Sequence, residues 1–402
     1  MNALRLSRRA LLFAPALGLW STAAPAAPVV RAGTPITLPR DFGSHPDFRT
    51  EWWYVTGWLD AAGTTKPGGF GSAAPAGSAA TEPFGFGSAE PKRFGFAEPF
   101  GFQVTFFRSR TDVAAGHPSR FAAQQLLFAH AALTDPRAGR LRHDQRIARA
   151  GFGIAEAALD DTDVRLRGWQ LVRSGGDAQV PQHHYRAVVD AGAQGFAFDL
   201  RCDATQPVLL QGDAGHSRKG PAPEQASHYL SEPQLAVGGT LRLDGKALAV
   251  TGRAWLDHEW SEALLHPDAV GWDWTGMNLD DGGALTAFRL RRADGSALWA
   301  GGSFRPRGGA VRTFGPDEVR FTPLRRWRSP ATQAEYPVEW RLDTPAGAHR
   351  VRARLDAQEL DSRGSTGSVY WEGLSELLDE RSGARVGRGY LEMTGYASRL
   401  QL

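Results

Sequence analysis

Residues 51–59 of this chain read EWWYVTGWL, a run of aromatic and β-branched residues that favours a β-strand. A second strand is predicted at 102–107, where the sequence FQVTFF places Phe102, Val104 and Phe106 on one face. Alternation of apolar and other residues with a period of two is typical of a half-buried strand. The two segments together predict two strands of a β-sheet.

The same pattern continues to the end of the chain. Strand-like segments recur every 8–15 residues or so, separated by turn signals such as Asp244-Gly245 and Asp294-Gly295. No long amphipathic helix is evident, and only 261–266 and 373–381 are candidates for short helical segments. Many short strands with turns between them predict β-sandwiches or β-barrels, which strand counting alone does not separate.

The length of the chain predicts two domains. It has 402 residues, and a single core seldom grows beyond about 250–300 residues. The Gly- and Pro-rich stretch at 212–225 is the candidate linker. We therefore expect an N-terminal domain at 28–225 and a C-terminal domain at 226–402.

The N-terminal domain carries a tandem duplication. Residues 70–85 and 86–101 are identical at nine of sixteen positions, in a segment rich in Gly, Ala and Pro. Such a composition has too few core-forming residues to fold by itself. We expect an insert at about 60–98 that lengthens a hairpin loop and is partly disordered.

The first residues resemble an export signal. The sequence SRRALL, with Arg8 and Arg9, resembles the twin-arginine motif, an apolar run follows it, and Ala24-Pro25-Ala26 fits a cleavage site. Residues 1–26 are therefore predicted to be a twin-arginine signal peptide that directs the protein to the periplasm. Residues 1–26 contain three Arg and no acidic residue, so their removal would lower the net charge of the chain from +3 to zero. The remaining chain is neutral and has no basic run, which gives nucleic-acid binding little support.

Several kinds of site have no motif in this sequence. There is no G-x-S-x-G, no Walker A, no G-x-G-x-x-G that opens a helix, and no H-E-x-x-H. His258, Glu262 and His266 have a spacing that would align metal ligands on a helix, but 255–260 is expected to end a strand. We therefore predict no metal site and no cofactor. The lone Cys202 cannot form an internal disulfide and is expected to be buried.

The most unusual feature is the recurrence of acids directly beside aromatic residues. Five clusters show it: Glu51-Trp52-Trp53-Tyr54, Trp255 to Trp260, Trp272-Asp273-Trp274, Tyr370-Trp371-Glu372 and Tyr390-Leu391-Glu392. In a strand at 255–260, Trp255, Asp257 and Glu259 would share one face, and the even-numbered residues would share the other. A carboxyl buried among aromatic rings can donate a proton near neutral pH. Equally, a buried acid can simply accept hydrogen bonds from indole N–H and phenol O–H groups.

These stretches resemble the AttH family, which is similar to the carotenoid 1,2-hydratases (CrtC, hydroxyneurosporene synthase). The resemblance rests on EWWYVTG (51–57), FGFQVTFFR (100–108), FAHAALTD (128–135), LQGDAGHSRKG (210–220), ASHYLSEPQLAVGGTL (226–241), GRAWLDHEWS (252–261) and GWDWTGMNLDDG (271–282). It implies two lipocalin-like antiparallel β-barrels in tandem. The resemblance also covers hydratases that add water to isoprenoid double bonds. AttH-type members are exported and are thought of as accessories to transport systems.

Two functions are consistent with these observations. The first is binding of an apolar ligand, a lipid or isoprenoid, in an aromatic cavity, with an ABC-type transport system and transient membrane contact as further partners. The second is a hydratase or cyclase in which Asp257 or Glu259 protonates a double bond and His258 orients the acid or accepts a proton from water. The predicted ligand-binding residues are Glu51, Trp52, Trp53, Tyr54, His130, Tyr229, Trp255, Trp260, Trp272, Asp273 and Trp274.

Overall fold

The computed structural model describes residues 28–61, 98–112, 117, 119, 121–176, 182–263 and 265–400. The predicted signal peptide and almost all of the predicted insert lie outside these ranges. Apart from two short 3-10 helices, Arg40–Phe42 and Gly192–Gln194, the regular structure of the described residues is β-strand. Within them, no helix has the length and apolar character needed to span a bilayer. The predicted all-β class is confirmed.

The first sheet contains thirteen strands in antiparallel pairs. They are β1 (Thr50–Ala61), β2 (Phe100–Arg110), β3 (Gln125–Asp135), β4 (Arg140–Arg149), β5 (Ala155–Ala157), β6 (Asp163–Leu166), β7 (Trp169–Gly175), β8 (His183–Ala191), β9 (Phe196–Asp203), β10 (Leu209–Leu210), β11 (His216–Arg218), β12 (Ala226–Leu243) and β13 (Lys246–Ser261). The order is β4-β3-β2-β1-β13-β12-β9-β8-β7-β6-β5, with β10 and β11 paired to β12. Strand β4 comes close to β6, so the sheet curls towards closure as a barrel.

The second sheet contains the ten remaining strands. They are β14 (Gly271–Leu279), β15 (Ala284–Arg291), β16 (Ala297–Arg305), β17 (Arg312–Phe314), β18 (Arg320–Arg328), β19 (Glu335–Thr344), β20 (Gly347–Ala353), β21 (Glu359–Ser362), β22 (Ser368–Asp379) and β23 (Arg385–Met393). The order is β17-β16-β15-β14-β23-β22-β20-β19-β18, with β21 paired to β22. Together the two sheets form the predicted pair of lipocalin-like barrels.

Each barrel has its own apolar interior because successive residues of a strand point to opposite faces. In β1, Trp53, Val55 and Leu59 pack in the core of the first barrel. Cys202 lies in the same core, and burial raises the pKa of its thiol to about 12. A separate core fills the second barrel, around residues such as Trp340. The strand alternation predicted from the sequence therefore assigns these side chains to the correct faces.

A third apolar cluster lies between the two barrels. It joins Tyr54 and Trp255 from the outer face of the first barrel to Trp274 and Tyr390 from the second. Side chains of the second barrel pack directly on the backbone of β2 here, since a Cβ on Gly101 would lie 2.7 Å from the Tyr390 hydroxyl oxygen. This contact between the two outer faces positions the site described below.

Two expectations about the layout differ from the structure. The predicted domain boundary at 225/226 falls within the first sheet, because β12 and β13 pair with β9 and β1. The change from one sheet to the other lies between Ser261 and Gly271. The predicted helical segment at 373–381 is wrong, since most of it belongs to β22, which pairs with β20 and β23.

Candidate functional site

A cavity of about 320 Å³ lies between the outer faces of the two barrels. Its walls are largely aromatic, and the rings are contributed by both barrels: Trp52, Tyr54, Phe107, Phe128, Tyr229, Trp272, Trp274, Phe288 and Tyr370. Five acidic residues also line it: Glu51, Asp257, Glu259, Glu372 and Glu392. The cavity therefore combines cation-stabilising ring faces with groups that can gain or lose a proton.

Asp257 is buried and has three hydrogen-bond donors. The Trp255 indole Nε1 donates to Oδ1 over 2.7 Å, the Tyr229 hydroxyl donates to Oδ2 over 2.7 Å, and Ser231 Oγ donates to Oδ1. Burial raises the pKa of Asp257 to about 7, against the opposing effect of these hydrogen bonds. Asp257 can therefore hold a proton near neutral pH, while it also satisfies the polar groups of Trp255 and Tyr229.

Glu259 has different partners. It accepts a hydrogen bond from Ser227 and lies 3.0 Å from the Lys219 ammonium, an ion pair that is almost wholly buried. The Lys219 Nζ also lies 4.6 Å and 4.2 Å from the ring centroids of Tyr229 and Phe288. Glu259 is thus held by a fixed positive charge on one wall of the cavity.

Glu372 and Glu392 face the cavity from neighbouring strands, at directly opposed positions of β22 and β23. Burial, followed by the charge of Glu392, holds the pKa of Glu372 well above its usual range. Burial also raises the pKa of Glu392 to about 7, against a hydrogen bond with Trp272. Such a carboxyl pair favours one shared proton, because two adjacent negative charges in an apolar site repel each other.

Glu372 is only partly satisfied by hydrogen bonds from the protein. Its Oε2 accepts a hydrogen bond from Gln103 Nε2 over 2.5 Å. Neither its Oε1 nor the Tyr54 hydroxyl has a hydrogen bond of good geometry to the described part of the chain, but the two side chains interact with each other. Burial, followed by the charges of Glu372 and Glu392, keeps the pKa of Tyr54 well above its usual range. Glu372 is therefore a protonated acid of the cavity wall whose second oxygen has the Tyr54 hydroxyl as a weak partner.

A series of hydrogen-bonded side chains runs from the cavity through His130. Its Nδ1 lies 2.9 Å from the Tyr370 hydroxyl and its Nε2 lies 2.8 Å from Ser365 Oγ. Ser365 donates its own hydrogen to Gln145 over 2.6 Å, so Nε2 of His130 must carry the proton and Nδ1 must accept from Tyr370. Burial lowers the pKa of His130 to about 3, which keeps the imidazole neutral.

Three residues predicted for the site lie on the opposite face of β1 and β13, turned away from the cavity. His258 Nε2 lies 2.9 Å from Glu51 Oε1, and its ring stacks on Trp53 with centroids 4.7 Å apart. Trp260 stacks on His45 with centroids 3.7 Å apart. His258, Trp53 and Trp260 therefore do not face the cavity, because even-numbered residues of β13 and odd-numbered residues of β1 point to the opposite face.

Glu51 is the centre of a buried ion network at the edge of the cavity. It accepts from His45 Nδ1 over 2.7 Å and from Arg108 Nε over 2.8 Å, besides its contact with His258. Burial alone would raise the pKa of Glu51, but His258, His45 and Arg108 together hold it well below its usual range. The pKa of His45 is raised, because bonds to Asp41 and Glu51 outweigh its burial. The imidazole of His45 and the guanidinium of Arg108 thus share one carboxylate.

Among the described residues, His45, Glu51 and His258 form the group whose spacing suits a metal ion. Both oxygens of Glu51 already accept hydrogen bonds, and the guanidinium beside them repels a cation. The arrangement fits a structural ion network better than a metal site. The pattern of His258, Glu262 and His266 is not assembled either, because Glu262 pairs with Arg110 and His258 with Glu51.

The structure brings together most, but not all, of the predicted residues. Those that line the cavity are Glu51, Trp52, Tyr54, His130, Tyr229, Asp257, Glu259, Trp272 and Trp274. Trp255 lies behind Asp257, and Asp273 lies inside the second barrel, where it accepts hydrogen bonds from Arg289 and Tyr396. Lys219, Glu372 and Glu392 were not predicted as site residues. The signal for the two glutamates was present, since both stand in acid–aromatic clusters.

The fold and the cavity define a class of two-barrel, lipocalin-like proteins with an acid-bearing aromatic cavity. The chain belongs to the AttH-like family, whose sequence model matches residues 95–396, as the resemblance predicted. A crystal structure described as an AttH candidate from Nitrosomonas europaea is 43% identical, with a TM-score of 0.75, over 92% of this chain and 99% of that one. Among proteins with curated descriptions, none matches the chain.

Two more distant structures share the fold. Kievitone hydratase from Nectria haematococca is 14% identical, with a TM-score of 0.62, over 93% of this chain and 94% of that one. CghA in complex with Sch210972 is 13% identical, with a TM-score of 0.52, over 94% of this chain and 97% of that one. At these identities the likeness establishes the fold alone.

The buried Asp257 gives protein stability a defined pH dependence. Its pKa of about 7, against an ordinary value of 3.8, means that the folded state keeps a proton that the unfolded state has released. As pH rises from 3.8 towards 7, wild-type protein should therefore lose stability relative to Asp257→Asn. The expected slope is up to about 1.4 kcal/mol per pH unit. Chemical denaturation of both proteins at a series of pH values measures it.

Asp199→Asn is the control of opposite sign. A hydrogen bond with Arg186 lowers the pKa of Asp199, so its stabilising effect is lost as pH falls. Wild-type protein should lose a little stability relative to Asp199→Asn on acidification. A difference between wild type and Asp257→Asn that does not change with pH would mean that Asp257 is ionised in the folded state throughout.

Proposed function

We propose that the protein catalyses the addition of water to, or its removal from, a carbon–carbon double bond of an apolar small molecule bound in the cavity. The observation that carries the proposal is Glu372, a buried acid of the cavity wall with a strongly raised pKa, whose Oε1 has only a weak interaction with Tyr54 and no well-formed hydrogen bond to the described protein. A carboxyl kept protonated in an apolar site is a suitable general acid. Glu392, with a pKa of about 7, is the complementary base.

In the hydration direction, the O–H bond of Glu372 breaks and a C–H bond forms at one carbon of the double bond. The other carbon becomes a cation, and Glu372 becomes a carboxylate. The ring faces of Trp272 and Trp274, together with the negative charges in the cavity, stabilise this cation. Water adds its oxygen to the cation, and Glu392 takes the proton that the water loses. Return of that proton to Glu372 completes the cycle.

The cavity volume restricts the substrate. About 320 Å³ is near the lower end of the range for small-molecule sites, roughly 300–1,000 Å³. A long polyene would not fit entirely inside it. The substrate we propose is an unsaturated apolar molecule of modest size, or a longer isoprenoid that inserts one end.

A second candidate is an apolar-ligand carrier without turnover, exported to the periplasm as an accessory to a transport system. The observation that favours it is the satisfaction of Asp257 and Glu259. Asp257 has hydrogen bonds from Trp255, Ser231 and Tyr229, and Glu259 has Lys219 and Ser227. Both acids are already bound by polar groups of the protein. The proton donors predicted from the sequence, Asp257 and Glu259, are therefore poorly placed to transfer a proton to a ligand.

Incubation with unsaturated isoprenoid alcohols and prenylated phenols in oxygen-18 water tests the proposal. Mass spectrometry should detect a product heavier by one labelled water. The reverse reaction should appear as loss of water from the corresponding tertiary alcohols. Quenching of the cavity tryptophans by the same compounds measures binding separately. Tight binding without any exchange of labelled oxygen would support the carrier and reject the hydratase.

A further inference from the structure

We propose that one face of the first barrel docks on an anionic lipid bilayer, next to the cavity. The face is formed by Phe121, Ile147, Phe152 and Ile154, called here the Phe121 patch. Phe121, Phe152 and Ile154 are 61%, 45% and 47% exposed, and Ile147 is also exposed. Adjacent exposed apolar side chains of this size indicate an interaction surface, whereas isolated ones need no explanation.

The backbone presents Phe152 outward at the tip of a turn. Gly151, Phe152 and Gly153 have φ values of 98°, 64° and 67°, all in the left-handed region. Glycine adopts this region freely, but a phenylalanine there has a less favourable backbone conformation. The Phe152 ring stacks on that of Phe121 with centroids 5.3 Å apart and an interplanar angle of 11°. The turn thus places two parallel rings on the surface instead of in the core.

The charges around the patch favour a negatively charged partner. The Arg149 guanidinium lies over both rings, 5.5 Å and 4.4 Å from their centroids. Arg146 bonds to the backbone oxygens of Arg167 and Asp190. Within the described ranges, Arg146, Arg149 and Arg167 have no carboxylate within 4.0 Å, whereas Arg165, on the strand beside them, pairs with Asp163. Arginine beside exposed aromatic rings is the combination that an anionic membrane surface binds.

The patch is continuous with the lining of the cavity. Ile147 in β4 is the direct cross-strand partner of Phe128 in β3, and Phe128 is one of the cavity walls. Cross-strand partners on one face have contacting side chains. Arg149, two residues beyond Ile147 in β4, lies over the exposed rings, so the surface runs from the cavity through Phe128, Ile147 and Arg149 to the Phe121 patch. A water-insoluble molecule resides in a lipid bilayer, so this continuity favours a membrane over a protein as the partner.

Flotation with lipid vesicles tests the docking face without any substrate. The protein should float with vesicles of phosphatidylglycerol and phosphatidylcholine, and less with phosphatidylcholine alone. The double variant F121S/F152S should bind the mixed vesicles at least about tenfold more weakly. Arg149→Gln should reduce binding about fivefold, and only to the anionic vesicles. The matched control is V311S/L324S, which removes two exposed apolar side chains from the second barrel and should bind as wild type does.

Two results would contradict the docking proposal. Equal flotation of wild type and F121S/F152S, with both folded by circular dichroism, would overturn the proposal. So would self-association in solution that F121S/F152S abolishes, because the patch would then be an interface between two copies of the chain. Neither readout depends on turnover, so the hydratase proposal and the docking proposal can fail independently.

Discussion

We expect Glu372→Gln to reduce hydration by about 10²- to 10⁴-fold, the usual contribution of a positioned general acid. Glutamine has the shape of the protonated acid and donates a hydrogen bond, but it cannot transfer a proton. Because Glu372 is held protonated by its burial, the variant should fold as stably as wild type. The measurement is turnover of a compound identified by incorporation of labelled water, with binding measured by tryptophan quenching. Binding should change little.

Two variants make this result specific. Glu376→Gln changes a buried acid on the same strand that pairs with Arg352 and Arg354, and it should leave turnover nearly unchanged. Asp257→Asn should reduce turnover less than Glu372→Gln, because Asp257 is already held by three donors. If Asp257→Asn abolished turnover and Glu372→Gln did not, the proton donor would be the one first predicted from the sequence.

The second large effect is a loss of protein stability in the variant Glu51→Ala. Glu51→Ala removes the carboxylate shared by Arg108, His45 and His258, all of which are buried. Arg108 would then be a buried cation without a carboxylate, and loss of one partner of a buried ion pair costs about 3–5 kcal/mol. The free energy of unfolding, measured by urea denaturation, should fall by that amount.

Glu262→Ala is the matched control. Glu262 also pairs with an arginine of β2, Arg110, but both side chains are partly exposed. Partly exposed ion pairs contribute at most about 1 kcal/mol, so the variant should remain close to wild type. Equal losses for Glu51→Ala and Glu262→Ala would show that the Glu51 network is better hydrated than its burial indicates.

The strand pattern could be predicted from the sequence because it is a local property. The alternation in 255–260 correctly separates Asp257 and Glu259 from His258 and Trp260, since the period of a strand depends only on its own backbone. The prediction that His258 acts beside these acids is nevertheless inconsistent with that same alternation. In the structure its ring is turned away from the cavity, with Glu51 and Trp53 as its partners.

The composition of the cavity could not be predicted in the same way. It requires the outer faces of two barrels to meet, and no local pattern says which strands of the second barrel lie opposite β13. Glu372 and Glu392 were visible as acids beside aromatic residues, but their neighbours were not. The error at 373–381 has a related cause, because its glutamates and leucines favour a helix locally. Pairing of β22 with strands on both sides overrides that preference.

The two-faced strand β13 has a consequence for how such proteins can diverge. Its even-numbered residues complete the interior of one barrel, while its odd-numbered residues border the ligand space. A point substitution at Asp257 or Glu259 can alter chemistry and leave the barrel interior intact. A single-residue insertion would exchange the two sets, moving carboxylates into the hydrocarbon interior and apolar side chains into the ligand space. We therefore expect related proteins to acquire new substrates by substitutions in β13. Insertions and deletions should be tolerated only in the loops beyond the ends of this strand.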